Sequence, residues 1–180
     1  MKACQKTVVF LLSLLLLLLP LFAEGAAEPG WEVNAQGMPR IPNFSLPSPE
    51  NTEVSLTSFL GKPVVLNFWA SWCPPCKAEM PAFQQFYEEY AFPEGDYALL
   101  SINLTDGVQE TRESCQQYLK DNHYTFPVVY DETGAIFSMF SDGRLPVTAF
   151  IDEEGFIIGG AFGGITYEYL LASLGIEAKE

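Results

Sequence analysis

The chain predicts an α/β fold, a three-layer α/β/α sandwich with a mixed central sheet and an N-terminal β-hairpin extension. Residues 63–69 (PVVLNFW) are apolar and β-branched apart from Asn67, the pattern of a central strand covered on both faces. After it, strand and helix signals alternate as β-α-β-α-β, an order that calls for parallel neighbours joined by crossover helices. A second hairpin and a terminal helix close the chain, so the sheet is mixed and the helices are expected on both of its faces.

Residues 43–46 and 53–56 read as the short first hairpin, with Pro47, Ser48 and Pro49 marking its turn. The buried strand at 63–69 comes next. From Pro74 to about Ala91 the spacing of Met80, Phe83, Tyr87 and Tyr90 gives a helix with one apolar face. Residues 97–104 are the following strand, 109 to about 122 a helix, and 126–130 a strand. In that helix Cys115 shares a buried face with Val108 and Leu119 and reads as a small core hydrophobe. Residues 135–140 suggest a further short helix. Residues 147–151 and 156–162 form a hairpin around the turn 152–155, whose Asp152, Glu153 and Glu154 make a solvated tip. A helix at 166–174 ends the fold, with Thr166 as N-cap and Gly175 just past its end.

With 180 residues, 48% of them hydrophobic, the chain has the length for one domain and the apolar content for a core, which excludes wholesale disorder. Nine Lys and Arg against 23 Asp and Glu leave a net charge of −14, which repels phosphate backbones and argues against nucleic acid as a partner. The absence of any fixed-period repeat excludes solenoids and propellers.

Residues 1–25 read as a secretory signal: Lys2 and Lys6 precede an apolar run from Val8 to Leu19 broken only by Ser13, and Pro20 stops it. Ala23, Gly25, Ala26 and Ala27 offer cleavage sites after Gly25 or Ala27. The rival is an uncleaved membrane anchor, although Val8 to Ala23 is 16 residues, short of the roughly 20 of a spanning helix. Residues 26–40 follow as a linker rich in Ala, Gly and Pro, and the domain runs from 41 to 180. The chain is therefore expected outside the cytoplasm, where disulfides persist.

Beyond Cys4 in the leader, the three cysteines Cys73, Cys76 and Cys115 cannot all pair within one chain, so this is no disulfide-stapled scaffold. Cys73 and Cys76 form a C-x-x-C between the buried strand and the next helix, which leaves structural, metal-binding and redox readings open. As N-cap, Cys73 would face unpaired backbone donors and the positive helix end, which favours a thiolate nucleophile. Pro74 then falls at the first helical position, and Cys76 one turn on is near enough to close a disulfide.

The chain resembles the thioredoxin superfamily, and within it the extracytoplasmic TlpA-like and ResA-like thiol-disulfide oxidoreductases, related to the AhpC/TSA-Redoxin group. The resemblance runs from Ile41 to about Leu174. It rests on residues 42–46 (PNFSL), 61–69 (GKPVVLNFW), the WCPPC at 72–76 with Glu79 and Pro81, and 145–152 (LPVTAFID). It implies a thioredoxin-like fold, a redox disulfide between Cys73 and Cys76, Cys73 as the attacking and Cys76 as the resolving thiol, and no cofactor. It also implies a cis peptide at Pro146 beside the disulfide, presenting Leu145 to a bound peptide, with Trp72 as a further part of the partner surface. Thioredoxin has an aspartate beneath its disulfide where this chain has Asn67, which exchanges no proton. Glu79 matches the ResA-like carboxylate; it lies one turn past Cys76 on the same face, where burial would raise its pKa and fit it to take the Cys76 proton.

The two prolines between the cysteines remove N–H donors from the Cys73 thiolate, which favours the disulfide and argues for a reductant over an oxidant. The resemblance implies disulfide-containing clients, apocytochrome c among them, and a membrane thiol transporter as electron donor, with the leader as a possible tether. A disulfide donor, a copper metallochaperone on the same two cysteines and a noncatalytic binding module are the alternatives. His123 with Cys73, Cys76 and Cys115 would make four zinc ligands on paper, but the redox reading assigns no metal. The glycine-rich run 159–164 lacks a phosphate-loop ending and reads as a turn. Trp69 reads as packing. Peroxidase chemistry is disfavoured by Ala70, where peroxiredoxins carry threonine.

Overall fold

A computed structural model describes residues 32–177. Its five-stranded sheet has the order β5-β4-β3-β6-β7, with a separate two-stranded hairpin, β1–β2, ahead of it. The strands are β1 (Ser45–Pro47), β2 (Glu53–Ser55), β3 (Val64–Trp69), β4 (Ala98–Asn103), β5 (Val128–Tyr130), β6 (Val147–Ile151) and β7 (Ile157–Phe162); the helices are α1 (Pro74–Phe86), α2 (Arg112–Asp121) and α3 (Tyr167–Ser173). Strand β3 is the centre of the sheet, parallel to β4 and antiparallel to β6. Every residue of β3 is buried, which matches its near-continuous apolar sequence.

Side chains alternate across each strand and divide the core in two. Val65, Trp69, Leu99 and Phe150 face Met80, Phe83 and Phe86 of α1, Cys115 of α2 and Leu170 and Leu171 of α3. Val64, Leu66, Phe68, Leu100 and Ile151 face Phe44, Leu46, Leu56 and Phe137. All three α-helices thus cover one face, a correction to the expectation of helices on both. The outer layer on the other face is built by the hairpin and two 3-10 turns, Leu56–Ser58 and Phe137–Met139. Handedness is the reason: β3 to β4 and β4 to β5 step in the same direction, so right-handed crossovers place α1 and α2 on the same side.

Local signals account for most boundaries. Thr111 and Ser114 form a capping box at the start of α2, and the Thr166 side chain accepts from the Tyr169 N–H to start α3. Gly175 follows α3 with φ of 69°, a left-handed conformation that glycine adopts without strain. Helix α1 is shorter than its apolar stripe, passing into a π-helical turn over Tyr87–Ala91 before Phe92 and Pro93 leave it. Helix α2 begins at Arg112 rather than at 109. Val108, placed on its buried face by periodicity, is instead 89% exposed. Asp106 explains the difference: its Oδ1 accepts from the N–H groups of Val108, Gln109 and Glu110, folding those residues into a turn outside the helix.

Part of the expected linker is described, and it docks on the sheet: Val33 bridges Pro39, Arg40 bridges Phe156, and the Ile157 N–H donates to the Pro39 carbonyl. The expected signal at 1–25 and the first residues of the expected linker lie outside the described residues.

Candidate active site

Strand β3 delivers its last residue, Trp69, to the carboxyl end of the sheet, and Ala70–Trp72 turn the chain into α1. Cys73 is the N-cap, with Pro74 and Pro75 at the first two helical positions. Cys73 and Cys76 are joined as a disulfide, their Cα atoms 5.3 Å apart, and both are buried. Because neither proline carries an N–H, the donor that reaches Cys73 Sγ is the Cys76 N–H, at 3.3 Å. Trp72, at 44% exposure, stands open beside the disulfide, whereas Trp69 is buried in the core against Tyr118.

Glu79 lies one turn beyond Cys76 and is only 1% exposed. Two other segments of the chain donate to its carboxylate. Asn67 of β3 donates through Nδ2 to Oε1 at 2.8 Å, and the Ile165 backbone N–H, ahead of α3, donates to Oε2 at 3.1 Å. The Asn67 amide also reaches Thr148 Oγ1 of β6 at 3.4 Å. Burial pushes the Glu79 pKa up to about 7, with the two hydrogen bonds pulling the other way. Asn67 exchanges no proton itself, but it holds the carboxyl of Glu79 in place.

The glycine run belongs to this geometry. A Cβ at Gly164 would lie 3.1 Å from the Pro75 carbonyl oxygen, and one at Gly160 would lie 2.8 Å from the Thr148 oxygen. The approach at Gly160 lets β7 lie close against β6, and the one at Gly164 lets the segment before α3 pass against the start of α1, next to the Ile165 that meets Glu79. The Leu145–Pro146 peptide bond is cis. Val147 pairs with Phe68, so Leu145 and Pro146 stand level with the residues that lead into Cys73.

Cys115 is buried, and burial chiefly, with the nearby Glu110 charge, pushes its thiol well above the ordinary range, so it does not form a thiolate at neutral pH. His123 is exposed just after α2. Among the described residues no group of three or more His, Cys, Asp and Glu side chains is gathered to hold a metal ion. The four zinc ligands possible on paper are not brought together.

Periodicity gave no sign of the buried carboxylate of Glu110, which accepts from Ser71 and Asn103. The only local pointer is its place next to the Thr111 cap. The partners of Glu79 from outside its own helix were equally invisible, since they come from β3 and from the segment before α3.

The sequence profile of the AhpC/TSA family matches residues 39–159, two thirds of the chain. The chain belongs to the AhpC/TSA family. Sporulation thiol-disulfide oxidoreductase A of Bacillus subtilis is 32% identical over 162 residues, 89% of this chain and 93% of the relative. Thiol-disulfide oxidoreductase ResA of Oceanobacillus iheyensis is 36% identical over 121 residues, 67% of this chain and 60% of the relative. Among solved structures, StoA from Bacillus subtilis superposes with a TM-score of 0.63 at 32% identity, covering 76% of this chain and 99% of StoA. The exposed lipoprotein thioredoxin Etrx1 of Streptococcus pneumoniae superposes with a TM-score of 0.65 at 27% identity, covering 74% of this chain and 98% of Etrx1. This AhpC/TSA member has the thioredoxin-like fold and is a thiol-disulfide oxidoreductase of the ResA and StoA type, with Cys73 and Cys76 as its disulfide.

The raised Glu79 pKa makes the family member's stability depend on pH. The folded state holds the Glu79 proton up to about pH 7 and the unfolded chain only to 4.5, so the associated stability is full below pH 4.5 and is lost as pH rises through 7. That difference corresponds to about 3 kcal/mol, most of it lost between pH 5 and pH 8. Urea unfolding of the oxidised protein at those two pH values is expected to show that decline, and Glu79→Gln is expected to flatten it. Equal stability at both would mean that Glu79 is ionised throughout.

Proposed function

We propose that this protein is an extracytoplasmic reductant of client disulfides. The observation that carries dithiol-disulfide exchange is the buried, proton-holding Glu79 one helical turn from Cys76. The Cys73 thiolate attacks one sulfur of the client disulfide, forming a mixed disulfide and releasing the other client sulfur as a thiolate. Glu79 takes the Cys76 proton, and the Cys76 thiolate attacks Cys73 Sγ, closing the Cys73–Cys76 disulfide and expelling the second client sulfur. The client gains two electrons and the protein loses two. Exposed Trp72, with Leu145 and Pro146, is the surface against which the client chain lies.

The direction of flow follows from the two prolines. With one backbone N–H reaching Cys73 Sγ, the thiolate is weakly stabilised, and a weakly stabilised reduced form makes a reductant. Such a reductant needs electrons from a membrane thiol transporter, and apocytochrome c awaiting haem attachment is the client class proposed. Residues 1–25 act as signal peptide or membrane tether, 26–40 as linker and 41–180 as the catalytic domain. No helix among the described residues is long and apolar enough to cross a membrane.

The test is the reduction potential of the Cys73–Cys76 pair in purified protein, read by Trp72 fluorescence in graded thiol buffers. A value below about −230 mV is expected; one near about −120 mV would make the protein a disulfide donor.

A further inference from the structure

We infer that Glu110 is a positioning residue for the redox loop, clamping the segment that carries Cys73 to the end of β4. The inference rests on Cys73 as the reacting thiol. Glu110 is 0% exposed, yet among the described residues no Lys or Arg is bonded to it. Its Oε1 accepts from the Ser71 N–H at 3.1 Å and from Asn103 Nδ2 at 2.9 Å, and its Oε2 accepts from Ser71 Oγ at 2.7 Å. Removing a carboxylate from water is costly, and three donors on two oxygens are what offsets it here. Two of those donors belong to one residue, Ser71, which lies two positions before Cys73.

The other end of the clamp is rigid. Asn103 closes β4 and pairs with Trp69, the last residue of β3. Its Oδ1 accepts from Thr105 Oγ1 at 2.7 Å, which sets the amide so that Nδ2 faces Glu110. The backbone of Glu110 is held by Asp106 Oδ1, which accepts its N–H at 2.9 Å, and by the Gly107 N–H, which donates to its carbonyl oxygen at 2.9 Å. Next along the chain is the Thr111 cap of α2. Cys73 is tied on its helix side, where its carbonyl accepts from the Lys77 N–H, and by its N–H to the Ala70 carbonyl, whereas Pro74 and Pro75 bring no N–H donors and the Ser71 side chain is held by Glu110. Gripping Ser71 at both N–H and Oγ fixes where Cys73 sits relative to the Cys76 N–H, which donates to its sulfur.

The test uses the reduced, full-length protein and reads the Cys73 thiol directly. Iodoacetamide labelling of Cys73 is followed by mass spectrometry across pH, beside the rate of reduction of a model protein disulfide. Glu110→Ala frees the loop, and the labelling midpoint is expected to lie at least half a pH unit above that of Glu110→Gln, which lacks the charge equally, while disulfide reduction slows about tenfold. Glu110→Gln keeps an acceptor for the Ser71 N–H and Asn103 and turns its NH2 to Ser71 Oγ, which can accept; it is expected to restore most of both. Ser71→Ala removes the 2.7 Å bond from the other end and is expected to shift the midpoint the same way by a smaller amount, so the inference stays testable if Glu110→Ala does not fold.

A wild-type labelling profile in Ser71→Ala and in folded Glu110→Ala, with stability alone reduced, would overturn the inference, as would Glu110→Gln as defective as Glu110→Ala. Labelling needs no client, so a failure of the proposed reductant role leaves this result readable.

Discussion

Cys73→Ser is expected to abolish disulfide reduction, with a loss of ~10³-fold or more, because no other described thiol can take its place. Cys76 is buried behind it and Cys115 is buried and held protonated. The companion variant Cys76→Ser keeps the attacking thiol but removes the one that resolves, so it is expected to accumulate a client-Cys73 mixed disulfide. Non-reducing electrophoresis and intact mass of the trapped species check both. Full activity in Cys73→Ser would remove the thiol mechanism, and trapping through Cys115 would reassign it.

Glu79→Gln is expected to slow resolution of the mixed disulfide by ~10²-fold. Glutamine accepts from the Asn67 amide as glutamate does, but its NH2 then opposes the Ile165 N–H and it takes no proton from Cys76. In the wild-type protein the basic form of Glu79 is depleted as pH falls below about 7, so resolution is expected to slow on the acid side with a midpoint there. The variant is expected to lose that limb. Stopped-flow release of client from a preformed mixed disulfide separates this step from the initial attack. A variant that retains both the rate and the acid limb would show that another group, or water, takes the proton.

The two effects are distinguishable from damage to the fold. Cys73 is an N-cap whose serine replacement still accepts from the helix, so the α1 start survives. Glu79 is different, because its carboxyl joins α1 to β3 and to the segment before α3. The pH dependence of stability therefore has to be measured beside the kinetics.

Much of the redox site was legible because its signals are local. An apolar strand, an N-cap and a proline at the first helical position all act within a few residues of Cys73, and Cys76 and Glu79 follow by helical spacing. Local reasoning failed where one side chain redirected the backbone. Asp106 gathers three N–H groups and delays α2, which puts Val108 in water and leaves Cys115 in the core. The placement of all three helices on one face was likewise hidden, since it depends on strand order rather than on the pattern within any strand.

The sequence by itself determined the α/β class, the hairpins, the strand-to-helix joint and the pair of cysteines placed there, since these follow from periodicity and capping over short separations. Only the tertiary structure decided what surrounds the buried carboxylates of Glu79 and Glu110. Ile165 reaches Glu79 across 86 residues and Ser71 reaches Glu110 across 39, through hydrogen bonds whose partners are chosen by sheet register and helix packing. A buried charge is tolerable only where such donors converge, and that convergence exists in the folded molecule and not in the order of its residues.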